Sequence, residues 1–399
     1  MNVIRQIKIF NAGREPERLA MKYQKMRSCS FGFLRATCHL FYDRLPQGEL
    51  LKSAPLTWVC GDLHLENFGS YKGNNRLAYF DLNDFDEAAL APASWEIVRM
   101  LTSLLVGAES LSIKPSEARA LCSAFVDSYA STLAAGKAYW IERETAQGVV
   151  RDLLAGLADR KRVDFLKTRT VLKGKSRTLL LDGKKALAVS EAQRKAVVDF
   201  MTRFSKTQSQ PEFFKVQDVA RRVAGTGSLG VQRFVILVAG KGSTNGHYLL
   251  DLKQALPSSV ASHLRSLQPQ WRSEAHRIVE IQLRMQAVSE ALLQTVNFPG
   301  DSYVIRELQP LEDRIFLDRA HQTVAQLNLT VRNMGQMLER AQLRSSGRQG
   351  SATADDLIAF GQRKKWKTKL LTTARSCATQ VRKDAATFNA AYDSGQFDV

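Results

Sequence analysis

Two short stretches decide the reading: "VCGDLHLENFGSY", Val59 to Tyr71, and "YFDLNDFDEA", Tyr79 to Ala88. Between them they carry Asp62, Glu66, Asp81, Asp84, Asp86 and Glu87, together with Asn67, Asn83 and His64. Burying charge is costly unless it is paired or bound to a cation. Such a span is therefore either a solvated hairpin or a metal and acid/base site. Both acidic turns follow apolar, strand-like runs, "LTWV" and "LAYF", which favours the site.

The spacing suits phosphoryl transfer. Magnesium takes one or two protein carboxylates and fills its shell with water and phosphate. The transfer also needs an Asp that orients or deprotonates the acceptor hydroxyl. Asp62 is the candidate base, Asn67 and Asp84 are candidate metal ligands with Asp86 as a further one, and Asp86 or His64 is placed to assist.

A second signal is "GTGSLG", Gly225 to Gly230. In a dinucleotide-binding unit this pattern opens a helix. Here "VQRFVILV" follows, short and rich in β-formers. Strand, glycine turn, strand is the kinase-type flap, whose backbone N–H groups cover phosphates. Gly225, Thr226, Gly227, Ser228 and Gly230 are the candidate nucleotide contacts. Lys253, in "LLDLKQA", is the candidate phosphate-gripping lysine on the next strand. Such a lysine needs a counter-charge on a neighbouring helix. Glu274 and Glu280 are both available, and the apolar Ile278, Val279 and Ile281 favour Glu280. "YVIREL" reads as a strand leading to a hinge, with Arg306 as a candidate anion contact.

The chain has 399 residues, 44% hydrophobic and 24% charged, enough for a large core and two subdomains. Its net charge is +18, from 57 Lys and Arg against 39 Asp and Glu. That excess raises the expectation of an anionic or acidic partner. No apolar run reaches the roughly 18 residues of a membrane span. "MNVIRQIKIF" has no signal-peptide core, so a cytoplasmic protein is expected. The five cysteines form no CxxC pair, which argues against a zinc knuckle or a disulfide framework.

Helices are expected over 15–45, with a break near "SCSFGF", and from "SWEIVRM" to about residue 208. A strand-rich part follows from 213 to 255, then one long helix from Trp271 to Val296. Two long helices, 320–344 and 354–392, close the chain. The expected parts are 1–209, carrying the acidic hairpin; 210–312, a small nucleotide-binding lobe; and 313–399, helices completing the large lobe.

"GDLHLEN" with "DFDEA" resembles the catalytic and metal motifs of aminoglycoside and choline phosphotransferases, a branch of the protein-kinase-like fold. "GDLHLENFG", "DFDEA", "FLR", "GTGSLG" and "LKQA" together resemble an uncharacterised bacterial family over about residues 21–388. The resemblance implies an α+β, two-lobed kinase-like fold, with a mostly helical large lobe and a small antiparallel sheet. It implies ATP and Mg2+ as ligands and a small-molecule or protein acceptor. Because the catalytic loop precedes the glycine loop, it also implies circular permutation. Cys60 and Gln342 stand where these families place His. Competing readings are a nucleotide-binding pseudokinase or scaffold, a metal-dependent phosphoesterase, and transfer of a nucleotidyl in place of a phosphoryl group. Arg35, in "FGFLRA", is expected in a structural ion pair.

Overall fold

The computed structural model describes residues 2–158, 160–174, 176–310, 317 and 322–398. Five short helices open the chain: α1 (Val3–Phe10), α2 (Pro16–Ser28), α3 (Ser30–Ala36), α4 (Cys38–Asp43) and α5 (Glu49–Ser53). Asn2 caps α1 by accepting from the Arg5 N–H, and Pro16 sits in the first turn of α2, where its missing N–H costs nothing. The break expected near "SCSFGF" falls at Cys29, whose extended backbone separates α2 from α3.

Four strands then nest. β1 (Leu56–Val59) pairs antiparallel with β4 (Ala89–Pro92), and inside that pair β2 (Phe68–Lys72) pairs antiparallel with β3 (Ala78–Leu82). Nesting forces the loop 60–67 and the loop 83–88 to the same end, side by side. The two acidic stretches therefore meet through strand pairing.

Next come α6 (Ala93–Gly107), α7 (Pro115–Ala135), α8 (Gly148–Ala158), α9 (Arg162–Lys167), β5 (Thr170–Lys173), β6 (Ser176–Leu179), β7 (Ala186–Leu187) and α10 (Glu191–Ser205). The strand-rich part holds β8 (Val216–Arg222), β9 (Arg233–Val238) and β10 (Tyr248–Gln254). The chain continues through α11 (Ser259–His263), α12 (Glu274–Met285), β11 (Gln294–Phe298) and β12 (Asp301–Glu307). It closes with α13 (Val324–Ser345), α14 (Ala354–Gln362) and α15 (Lys365–Asp393).

The molecule is α+β. One six-stranded antiparallel sheet runs in the order β11-β12-β10-β9-β8-β7. β9 is buried on both faces, as its unbroken apolar run requires. Phe234 and Ile236 pack with Val197, Phe200 and Phe204 of α10, while Val235 and Leu237 pack with Leu166 and Leu179 on the other face. A larger apolar core joins the N-terminal helices, β1, β4, α6, α7 and α13–α15.

Several expectations are corrected. The helical stretch to residue 208 is interrupted by the β5–β6 hairpin and by β7, which joins the sheet at β8. Basic residues there read as helix surface, but Leu179 donates its N–H to Asp218 Oδ2 at 2.8 Å, docking β6 beside β8. The sheet and the helix packed on it thus begin before residue 210. The long helix from 271 ends at Met285, since "QTVNF" is drawn into strand pairing with β12. The last helix is two, α14 and α15. The expected boundary at 312/313 and the expected helix start at 320 lie outside the described residues.

α13 packs along α7 through Gly335, where an added Cβ would lie 2.6 Å from the Phe125 carbonyl oxygen. On the same helix Glu339 is fully buried, and neither carboxylate oxygen has a hydrogen-bond partner among the described residues. Burial pushes its carboxyl up to about 8, with Arg340 and Arg344 opposing only in part. The folded protein therefore keeps a proton that the unfolded chain releases from about pH 4.5, and stability falls as pH rises through that window to about 8. Glu339→Gln is expected to match wild type near pH 4 and to be more stable by on the order of 5 kcal/mol above pH 8. Urea unfolding across pH checks this, and a difference independent of pH would count against it.

Candidate functional site

The loop after β1 turns at Gly61, whose φ is +83° and whose added Cβ would sit 2.1 Å from the Glu87 carbonyl oxygen. Only glycine allows the two acidic loops to come this close. Glu96 of α6 holds the turn, its Oε1 accepting from the Cys60 N–H at 2.7 Å and the Gly61 N–H at 3.2 Å. The Tyr42 hydroxyl donates to the Gly61 carbonyl. Gln342 donates to the other Glu96 oxygen at 3.3 Å and accepts from the Tyr129 hydroxyl at 2.6 Å. Burial pushes the Glu96 carboxyl up to about 7, and the hydrogen bonds it accepts oppose the rise.

Asp62 follows directly. Its Oδ1 accepts from Nε of the fully buried Arg99 at 3.1 Å and also from the terminal guanidinium nitrogen. Burial pushes Asp62 up to about 6, and Arg99 opposes the rise. Asn67 Nδ2 donates to the Asp62 carbonyl at 2.6 Å, which leaves the amide oxygen as the atom that could ligate. The Asn83 N–H donates to the Asn67 carbonyl at 3.1 Å, joining the loops. For Asp84, burial works upward, but Lys253 and Arg306 outweigh it and hold the carboxyl below its usual range. Asp86 is ion-paired with Lys253 Nζ. His64 Nε2 accepts from Arg35 Nε at 3.3 Å, and Arg35 is ion-paired with Glu66 at 2.7 Å. The expected ion pair of Arg35 is present, and the same side chain lines the cleft.

The glycine loop faces these acids from β8 and β9. It is gripped from outside by the N-terminal helices. Arg14 donates to the carbonyls of Gly227 at 2.6 Å and Leu229 at 2.9 Å, and the fully buried Lys22 donates to Gly227 O at 3.0 Å and Asn11 Oδ1 at 2.8 Å. The Glu15 N–H donates to the Gly230 carbonyl at 2.9 Å. The Gly227, Leu229 and Gly230 carbonyls are thus occupied. Among the described residues the N–H groups of Gly225 to Leu229 donate to no protein acceptor, the condition for a backbone anion cradle.

A cavity of about 280 Å³ joins the parts. Asp62, His64, Asn67, Asp84 and Asp86 line it from the hairpin loops; Gly225, Thr226, Gly227, Ser228 and Lys253 line it from the sheet. Phe10, Arg14 and Arg35 close the N-terminal side. Residues far apart in sequence therefore share one cleft.

Three placements differ from expectation. Glu280 does not meet Lys253: it lies on α12 beside His276 at 3.9 Å and Arg284 at 3.5 Å, and Glu274 pairs with Arg277 at 2.7 Å. The counter-charge of Lys253 is Asp86, because the hairpin loop and not α12 lies against the end of β10. Gly230 faces the N-terminal segment, where an added Cβ would lie 2.8 Å from the Arg14 Cβ, and it does not line the cleft. Arg306 faces a second cavity behind Lys253. Arg14, Lys22, Glu96 and Arg99 were not singled out from sequence. The one available signal was the charged pair Glu96 and Arg99, spaced on one face of an otherwise apolar helix.

The acids suit magnesium sparingly. Asn67, Asp84 and Asp86 offer oxygen donors within one cleft, enough for an ion whose remaining shell is water and phosphate. Among the described residues no group of three or more His, Cys, Asp or Glu side chains is placed to hold a metal ion by itself. The His-rich dinuclear set of a phosphoesterase is thus not assembled among them.

A family model described as an uncharacterised protein conserved in bacteria (DUF2252) matches residues 14–391. No curated protein and no solved structure matches the chain.

The grip on the glycine loop is directly testable. Lys22→Met keeps the aliphatic stem and removes the donor, leaving Gly227 O and Asn11 Oδ1 without it, at a cost of about 1–3 kcal/mol. Amide hydrogen exchange at Glu15 and Val231, whose N–H groups donate to the Gly230 and Ser228 carbonyls, is expected to accelerate at least about tenfold relative to β9. Unchanged exchange would show that the N-terminal helices do not hold the loop.

Proposed function

The chain belongs to that bacterial family, and we propose that it is a magnesium-dependent, ATP-using phosphotransferase with a permuted, two-lobed kinase-like architecture. The observation that carries the reading is the single cleft shared by Asp62, Asn67 and Asp84 with Gly225–Ser228 and Lys253. The sheet supports it as well. A glycine turn joins β8 to β9, Lys253 sits on β10 next to β9, α12 follows, and β12 pairs with β10 on its way out of the sheet. This is the small-lobe order the motifs imply, placed after the catalytic loop in the chain.

On this reading the nucleotide phosphates run beneath the glycine loop, hydrogen-bonded by its N–H groups and balanced by Lys253. Asn67, Asp84 and Asp86 would hold magnesium, which neutralises developing charge on the phosphates. Asp62 accepts the proton of the acceptor hydroxyl as its oxygen bonds to the γ-phosphorus, and the bond to the β-phosphate breaks to release ADP. Arg99 fixes the orientation of the Asp62 carboxylate by holding Oδ1.

A second reading is nucleotide binding without transfer. It is favoured by one observation: Asp62 and Lys253 are already engaged, with Arg99 and Asp86.

Calorimetric titration with ATP, with and without magnesium, tests both. Wild type is expected to bind ATP only with magnesium, and Lys253→Ala and Asp84→Ala to lose that binding. Asp62→Asn is expected to keep binding and lose at least about 100-fold in turnover. Folded wild-type protein that binds no ATP would sink both readings, and binding without turnover over a broad acceptor screen would favour the second.

A further inference from the structure

Arg14, in the turn between α1 and α2, lines the cleft together with the glycine loop and the acidic loops. One terminal nitrogen of its guanidinium donates to the carbonyls of Gly227 at 2.6 Å and Leu229 at 2.9 Å. Those two bonds use one nitrogen of three. Nε and the other terminal nitrogen bond to nothing among the described residues, and neither is closed off from solvent. No carboxylate among the described residues comes within 4.0 Å of the group. Arg14 differs in this from the other cations that line the cleft, since Lys253 is paired with Asp86 and Arg35 with Glu66.

The guanidinium is held firmly behind its free edge. The Phe10 ring lies 5.2 Å from its Cζ and is itself stacked on His39 at 3.9 Å. Burial pushes the Arg14 guanidinium down to about 10, and Glu87, Tyr23 and Asp86 oppose the fall without reaching it. A fixed planar fork with two nitrogens free matches two oxygens of a phosphoryl or carboxylate group. The unbonded N–H groups of Gly225 to Leu229 lie on the same loop that Arg14 grips, and Asp62 lines the same cavity.

We propose that Arg14 is an anion-binding residue of the cleft and takes a phosphoryl group on its free edge. The source of that group rests on the proposed function: it is the terminal phosphate of the nucleotide, and Arg14 is then a catalytic residue. As the acceptor oxygen bonds to the γ-phosphorus and its proton passes to Asp62, the bond to the β-phosphate oxygen breaks and its electron pair leaves with ADP. Negative charge spreads over the equatorial oxygens in between. A guanidinium already fixed in place stabilises that charge, as an arginine finger supplied by the same chain does in other phosphoryl transfers. An acid group on the acceptor would bind the same edge by the same chemistry.

Two measurements test this. In the first, wild type is treated with phenylglyoxal with and without inorganic phosphate, and Arg14 is followed by peptide mapping. Phosphate is expected to protect Arg14, and an unprotected Arg14 overturns the proposal. The second compares the affinities for ATP and ADP, both with magnesium, by calorimetry. Arg14→Gln is expected to weaken ATP at least about tenfold and to leave ADP within about twofold. Lys22→Met, which frees the same Gly227 carbonyl from a fully buried position, is expected to shift both nucleotides alike. Thermal unfolding checks that both variants are folded. Equal weakening of ATP and ADP in Arg14→Gln would show that Arg14 acts only by holding the loop, and the proposal fails. Unchanged affinity for both, with Arg14 protected by phosphate, assigns the edge to an acid group on the acceptor. Folded wild type that binds neither nucleotide, with Arg14 still protected by phosphate, removes the proposed function and leaves the anion site standing.

Discussion

A carboxylate withdrawn from water needs a cation or strong donors beside it, and that requirement organises this molecule. Asp62 is answered by Arg99, Asp86 by Lys253, Glu66 by Arg35, Asp81 by Arg344 at 2.7 Å, and Asp251 by Arg222 and Arg233. Few of these partners are close in sequence. Each pair therefore ties a distant segment to the nested hairpins or to the sheet. The pairs add little net stability against an apolar alternative, but breaking one strands a buried charge. Their effect is to fix which segments face each other.

The nested strands supply the rigid half of the cleft. Pairing β1 with β4 around β2 and β3 leaves two acidic loops at one end, and the absence of a side chain at Gly61 lets them touch. The other half is a glycine loop that would be free to wander on its own. It is held by carbonyl contacts from Arg14 and Lys22. A loop fixed through its carbonyls keeps its N–H groups oriented before a ligand arrives, which lowers the ordering cost of binding. α1, α2 and the turn between them, which lie outside the quoted motifs, are in this sense part of the site.

What could be read in advance was local. The acidic hairpin, the short apolar strands of "VQRFVILV" and "LLDLKQA", and the helix that begins at "SWEIVRM" follow from composition and periodicity within a few residues. What could not be read was who answers whom. Glu280 has the apolar flanks of an inward-facing residue, yet its neighbours on α12 already claim it. Asp86 looked like a spare metal ligand, and it is the partner of Lys253. β5, β6 and β11 escaped notice because short strands with charged or amide side chains look like helix surface until a neighbour such as Asp218 accepts their N–H groups. Pairing across more than a hundred residues leaves no periodicity to detect.

The same logic bears on Cys60 and Gln342, which stand where the resembling families carry His. A histidine beside a catalytic loop would orient it through hydrogen bonds. Here the Cys60 and Gly61 N–H groups are received by Glu96, the Gly61 carbonyl is bound by Tyr42, and Glu96 is itself held by Gln342. Gln342 can both donate to Glu96 and accept from Tyr129, which an imidazole does only in one tautomer. The turn is thus oriented by a buried network behind the loop. Cysteine at residue 60 then fills apolar space, with burial and Glu96 keeping its thiol protonated. That network anchors the turn without a histidine, and Asp62 and Asn67 line the cleft.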